Sequence, residues 1–224
     1  MDIDFTPYFK EYEALTILTD SIFHQVKKQF PKAIKCKLQC SDCCHALFDL
    51  TLIEAIYINH KFNDKFKDDK KKRLLEQANK SDRMVHQLKR KAVKELKAGT
   101  SEDEILVGLS TAKVRCALLN DKEKCELYEH RPITCRLYGI PISIAGSSHT
   151  CGLSDFVEGE KYPTVNIDQI QNKLYEISAK LVNDIKSKHT KMADILVPLS
   201  MAILMEYDDT YLGIKKEEKE NNKG

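Results

Sequence analysis

The chain has no tryptophan, only eight glycines in 224 residues, no two glycines side by side and no long apolar run. Nothing approaches the roughly 18 consecutive apolar residues of a membrane-spanning helix, so no such helix is expected. The opening residues Met1-Asp2-Ile3-Asp4-Phe5 are acidic, with no basic stretch leading into an apolar one, and do not read as a secretory signal. There is no Gly-rich phosphate loop, no G-x-S-x-G elbow and no H-E-x-x-H pair. The common nucleotide-binding, serine-hydrolase and zinc-protease signatures are therefore missing. The expected setting is the reducing cytoplasm, with no membrane association.

Cysteine, by contrast, is plentiful. Eight thiols in a reducing compartment point to metal or redox chemistry more than to disulfides. They fall into two groups: Cys36-x3-Cys40-x2-Cys43-Cys44, and then Cys116, Cys125, Cys135 and Cys151. Four thiols within nine residues have no packing rationale. Two or three intervening residues, however, let one loop present two soft sulfur ligands to a single centre. Cys43 and Cys44 are adjacent, so their side chains diverge. Either one binds and the other packs, or the pair reaches toward two metals. All eight cysteines are candidate metal ligands, for zinc or for iron, including a four-iron, four-sulfur cluster. Lys37, Arg115, Arg131 and Arg136 lie nearby in sequence and would offset thiolate charge.

Around the cysteines the sequence reads as helices. Leu15, Leu18, Ile22, Val26 and Phe30 recur at helical spacing, predicting a helix over about 9–30 that stops at Pro31. Thr51 and Glu54 form a capping-box pair at the start of a second helix, and Ser101 and Glu104 another. Between them a long basic helix is predicted at about 62–98, ending near Gly99. Residues 61–98 hold 14 Lys/Arg against 6 Asp/Glu, although the whole chain is only +2. Acidic residues interrupt this basic stretch and no aromatic stacking set accompanies it, so it reads as a solvated face, and nucleic-acid binding is not expected. Val114–Leu119 and Lys124–Tyr128, either side of Asn120–Glu123, read as a hairpin. Arg131-Pro132 sets a rigid turn ahead of Cys135. Ile167, Ile170, Leu174, Ile177 and Leu181 mark a further helix, and 192–206 reads as a mostly apolar helix interrupted by Pro198. The expected fold is mainly α with a small β-hairpin, an irregular cysteine-rich metal-binding core packed against helices. Residues 1–212 form a single domain in this reading, and 213–224 a charged tail.

The two cysteine blocks resemble a known family. Cys40-Ser41-Asp42-Cys43-Cys44, preceded by Cys36, is similar to the first signature of the CxxCxxCC family of zinc- or iron-chelating proteins of the YkgJ type. Cys125-Glu126-Leu127-Tyr128-Glu129-His130-Arg131-Pro132-Ile133-Thr134-Cys135-Arg136 resembles its second signature, C-x-x-Y-x-x-R-P-x-x-C-R. Ser41-Asp42 stands where a glycine is common. The resemblance implies a metal-binding protein holding zinc or an iron–sulfur centre. The alternative is an iron–sulfur-dependent enzyme, either redox or a radical-SAM-like protein lysine methyltransferase, because Cys36-x3-Cys40-x2-Cys43 also has radical-SAM spacing. Against that stand Asp42 in place of the usual aromatic and the lack of any Gly-Gly stretch. Whether the protein is an enzyme stays open at this stage, as does a zinc-stapled module with a protein partner.

Overall fold

The computed structural model describes residues 3–37 and 40–214. Its centre is a helix that is apolar almost all round. In α2 (Leu52–Lys65), every residue from Leu52 to Asn59 is buried, as is Phe62. A helix without a polar face must be covered on all sides. Three other helices do this: α1 (Thr6–Gln29), α6 (Ile167–Asp184) and the short α7 (Leu199–Leu204). The start of α2 is fixed by the expected capping box, with Glu54 reaching back to Thr51. Its one buried amide, Asn59, donates to the carbonyls of Ala202 and Met205 at 2.9 and 2.8 Å and so ties α7 to the core.

The long basic helix is α3 (Asp68–Lys97), beginning at Asp68 rather than near residue 62. The break comes at Phe66, whose backbone is extended. Its buried ring packs against Phe62 with centroids 5.3 Å apart. Driving that ring into the core ends α2, and neither proline nor glycine marks the place. α3 closes ahead of Gly99, and α4 (Glu102–Thr111) follows, with Ser101 capping through Glu104 N–H. α4 buries none of its side chains.

Residues 114–128 form a loop closed by a single bridge between Leu119 and Cys125, not a strand pair. The β-hairpin lies instead at β2 (Ile142–Ile144) and β3 (Ser147–His149), with β4 (Val165–Asn166) parallel to β2. Its turn residues Ala145 and Gly146 both take positive φ, the conformation a tight two-residue hairpin turn demands. The apolar stretch 192–206 is likewise not one helix. It divides into a 3₁₀ turn (Thr190–Asp194), strand β5 (Leu196–Pro198) and α7. β5 pairs antiparallel with β1 (Asp49–Thr51), and Pro198, which lacks an N–H, stands at the strand's end just ahead of α7. α5 (Ile133–Leu137) completes the helices. Leu212 is buried, and Lys188 N–H donates to the Gly213 carbonyl at 2.9 Å. The charged tail lies, from residue 215, outside the described residues. Among the described residues no helix is long and apolar enough to cross a membrane.

Candidate metal centre

The backbone, more than any single side chain, brings the two cysteine blocks together. Cys43 and Cys44 sit in a 3₁₀ turn (Asp42–His45), closed by Cys44 N–H donating to the Ser41 carbonyl at 2.9 Å. The strand-like piece that follows this turn pairs with the start of the second block. Ala46 bridges Lys113, Val114 N–H donates to the His45 carbonyl at 3.0 Å, and Cys116 N–H donates to the Cys44 carbonyl at 2.7 Å. Cys44 and Cys116 are therefore held side by side by main-chain hydrogen bonds, although 71 residues separate them in sequence.

Cys125 is placed by the loop that follows. The Asn120 side-chain oxygen accepts from the backbone N–H groups of Lys122 and Lys124, and Glu126 N–H donates to Leu118 O at 2.7 Å. Cys135 is carried by α5, and the R-P-x-x-C-R signature shows how. Pro132 is the residue from which α5 starts. Arg136, 6% exposed, donates to the carbonyls of Arg131 and Glu129 and to the Asp20 carboxylate of α1. Arg131 also reaches Asp20, at 3.2 Å, while its guanidinium lies 4.3 Å from the Tyr128 ring centroid. From the other side, the buried Glu54 accepts from Ile133 N–H at 3.1 Å. Both arginines of the signature thus fasten the turn bearing Cys135.

Seven of the eight cysteines line one cavity of about 490 Å³; Cys151 alone does not. Cys151 lies beyond β3, and its thiol points at Asp42 Oδ2, 3.7 Å away. Cys36 donates to the Tyr138 carbonyl at 3.4 Å and packs against Gly139. At φ +103° and with Cys36 Sγ where a Cβ would stand, residue 139 has to be glycine for the sulfur to sit there. Tyr138 shields this side, its hydroxyl donating to Asp42 at 2.9 Å, whereas Tyr128 is largely exposed. His45 Nδ1 faces the Ser41 carbonyl and His130 Nδ1 the Tyr57 hydroxyl, so both histidines beside the blocks already have partners.

Burial pushes most of these thiols up, Cys36 to about 11 and Cys116 to about 12, with neighbouring sulfurs adding to the effect. Cys125 and Cys151 are raised by burial as well. Cys43 goes the other way, because hydrogen bonds from Cys135 and Cys44 hold it low; the same bonds, with burial, raise those two partners. A crowd of half-buried thiols, several of them hard to ionise, is what a cation relieves, since binding replaces the protons with positive charge. Soft sulfur donors on four separate chain segments therefore fit zinc or iron. As they stand, the thiols hydrogen-bond to one another, to Tyr138 and to Asp42. Among the described residues, no three or more His, Cys, Asp or Glu side chains are drawn together into a set that could hold an ion. Side chains have to turn before an ion is gripped.

Asp42 is the site residue that sequence reasoning passed over. The signal was its place inside the first block, where the resemblance led one to expect glycine. It also lines a second, shallower depression with Cys40, Ser41 and His45 on the outer face.

No curated protein and no solved structure matches the chain. A family model does: CxxCxxCC, described as a "Putative zinc- or iron-chelating domain", matches residues 35–152, just over half of the 224 residues and both cysteine blocks. The chain belongs to the CxxCxxCC family.

Proposed function

We propose that this protein chelates zinc or iron through the cysteines of its two blocks, and that the bound metal locks the 36–44 loop to the 116–151 segment. One observation carries the reading: main-chain hydrogen bonds align Cys44 with Cys116 at a cavity that five further cysteines also line. Metal binding of this kind is folding energy, because the ligands come from segments that only the fold brings together. The thiols must stay reduced to serve, which places the protein in the cytoplasm in this reading. The chemistry a bound metal would supply here is Lewis acidity for zinc, or electron transfer for an iron–sulfur centre. The protein's own contribution is to position the sulfurs and to shield them with α5, Tyr138 and Phe23.

The deciding experiment is metal and acid-labile sulfide analysis of protein purified without air, with its visible spectrum. Colourless protein with stoichiometric zinc establishes a zinc centre; iron with sulfide and a brown chromophore establishes an iron–sulfur centre. The Cys135→Ser variant is expected to lose metal and to melt at lower temperature. Wild-type protein that retains neither metal and takes up neither on reconstitution overturns the reading.

A further inference from the structure

The cavity has two unlike walls. The seven cysteines reach it from the two cysteine blocks. The other wall comes from elements that carry no cysteine: Phe48 on the approach to β1, Ile58 of α2, Ser81 and Val85 of α3, and Pro198 to Ser200 at the junction of β5 and α7. These elements adjoin one another, β1 pairing with β5 and α7 packing on both α2 and α3, so their contribution is one continuous surface. It runs deep, since Ile58, Val85 and Ser200 are buried.

Among the described residues, this second wall brings no charge to the cavity. α3 is the most basic stretch of the chain, yet what it gives the cavity is Ser81 and Val85. The two hydroxyls of the wall are already engaged: Ser81 donates to the Arg115 carbonyl at 2.7 Å and Ser200 to the Asp82 carboxylate at 3.1 Å. Hydrocarbon is what remains facing the void. A metal uses none of it, because an ion held by thiolates at roughly 2.3 Å stays among the sulfurs. The cavity of about 490 Å³ instead has the size of a small-molecule pocket, roughly 300–1,000 Å³.

We propose that the protein binds an uncharged, hydrocarbon-rich small molecule, an alkyl or aryl compound, against this carbon wall and beside the metal. The placing beside a metal rests on the chelation reading above. Apolar surface withdrawn from water on both partners supplies the affinity. A carboxylate or ammonium group set against Phe48, Val85 and Leu199 would lose its hydration and gain no partner, so the wall selects for lack of charge. The cations that line the cavity belong to its other side, where Arg131 and Arg136 are taken by Asp20 and Arg115 by Glu123.

The test is titration of the reduced, zinc-loaded full chain with the uncharged naphthalene dye prodan, followed by its emission, with zinc measured in the same samples. Saturable one-to-one binding with blue-shifted emission is expected, displaced by naphthalene and not by naphthalenesulfonate. Leu199→Trp fills the wall and should weaken the dye by about tenfold or more, the equivalent of two buried methylene groups, with zinc content unchanged. The chain has no tryptophan of its own, so the emission of that single residue reports whether the variant is folded around it. Methyl resonances of the wild type supply a readout that needs no variant: those of Val85 and Leu199 should shift with the dye while those of Leu106 and Val107 on exposed α4 stay still. Zinc retained with no saturable dye binding overturns the pocket and leaves the chelation reading standing. Dye binding that moves the α4 methyls instead, or that naphthalenesulfonate displaces as well as naphthalene does, overturns it too. Protein that takes up no zinc overturns the chelation reading, and with it the placing of this ligand beside a metal.

Discussion

Asp20 of α1 is the place to test whether the arginine signature holds Cys135 in position. Its carboxylate takes both Arg131 and Arg136, and Arg136 is the more deeply buried of the two. Replacing Asp20 by Ala removes no core volume but leaves the Arg136 guanidinium without its counter-ion, although the Arg131 and Glu129 carbonyls still accept from it. Removing one partner of a fully buried pair costs about 3–5 kcal/mol. Asp20 is 33% exposed on its side chain, so screening by water brings the expected loss down to about 2 kcal/mol. For a chain of this length that corresponds to a fall in Tm of roughly 4–8 °C. Denaturant unfolding of Asp20→Ala, Arg136→Met and the double variant gives the coupling directly, and about 1–3 kcal/mol is expected for groups in one network. Because α5 also carries Cys135, Asp20→Ala should weaken metal retention although it touches no sulfur. A stability change within about 0.5 kcal/mol, with metal content unaltered, refutes the idea that the clasp positions α5.

Gly139→Ala forces a side chain into a left-handed backbone position and onto Cys36 Sγ. It should cost about 1–3 kcal/mol by thermal melting and lower metal content more than a neutral surface change does. Burial raises the Glu54 carboxyl above its ordinary 4.5, so the neutral form favours folding; that contribution is complete below 4.5 and is lost as pH rises through the folded-state value. Wild type should therefore lose stability relative to Glu54→Gln as pH rises over that window, and parallel curves by denaturant titration would count against it. Leu106→Ser and Val107→Ser change side chains on α4 that are 62% and 64% exposed, and should alter melting by no more than about 0.5 kcal/mol with metal content unchanged.

What the sequence made legible depended on how local each signal was. α1, α2 and α6 follow from apolar spacing and, for α2, from the Thr51–Glu54 box, all signals contained within a few turns. The end of α2 at Phe66 was invisible because it is set by where the core accepts a ring, not by a breaker residue. The β1–β5 pair was equally hidden, since strands of three residues far apart in the chain carry no period of their own. Crowded cysteines announced the candidate site, and the R-P-x-x-C-R block announced a rigid turn. Which sulfur faces which was not legible. That depends on the 3₁₀ turn at Asp42–His45 and on β3 delivering Cys151 to Asp42, neither of which leaves a pattern in the residues.

The main-chain register between His45 and Val114, and between Cys44 and Cys116, divides the chain by its tolerance of length. The segment from Leu47 to Ala112 leaves that register and returns to it, lining the cavity on the way with Leu47, Phe48, Ile58, Ser81 and Val85. Added residues at Gly99–Thr100, on the far turn of α3 and α4, leave the segment's two ends in register and the sulfurs where they were. One residue added between Val114 and Cys116 instead moves Cys116 to the opposite side of the strand-like piece, out of the cavity. The cavity thus tolerates added length at that far turn and is sensitive to single-residue phase at its mouth.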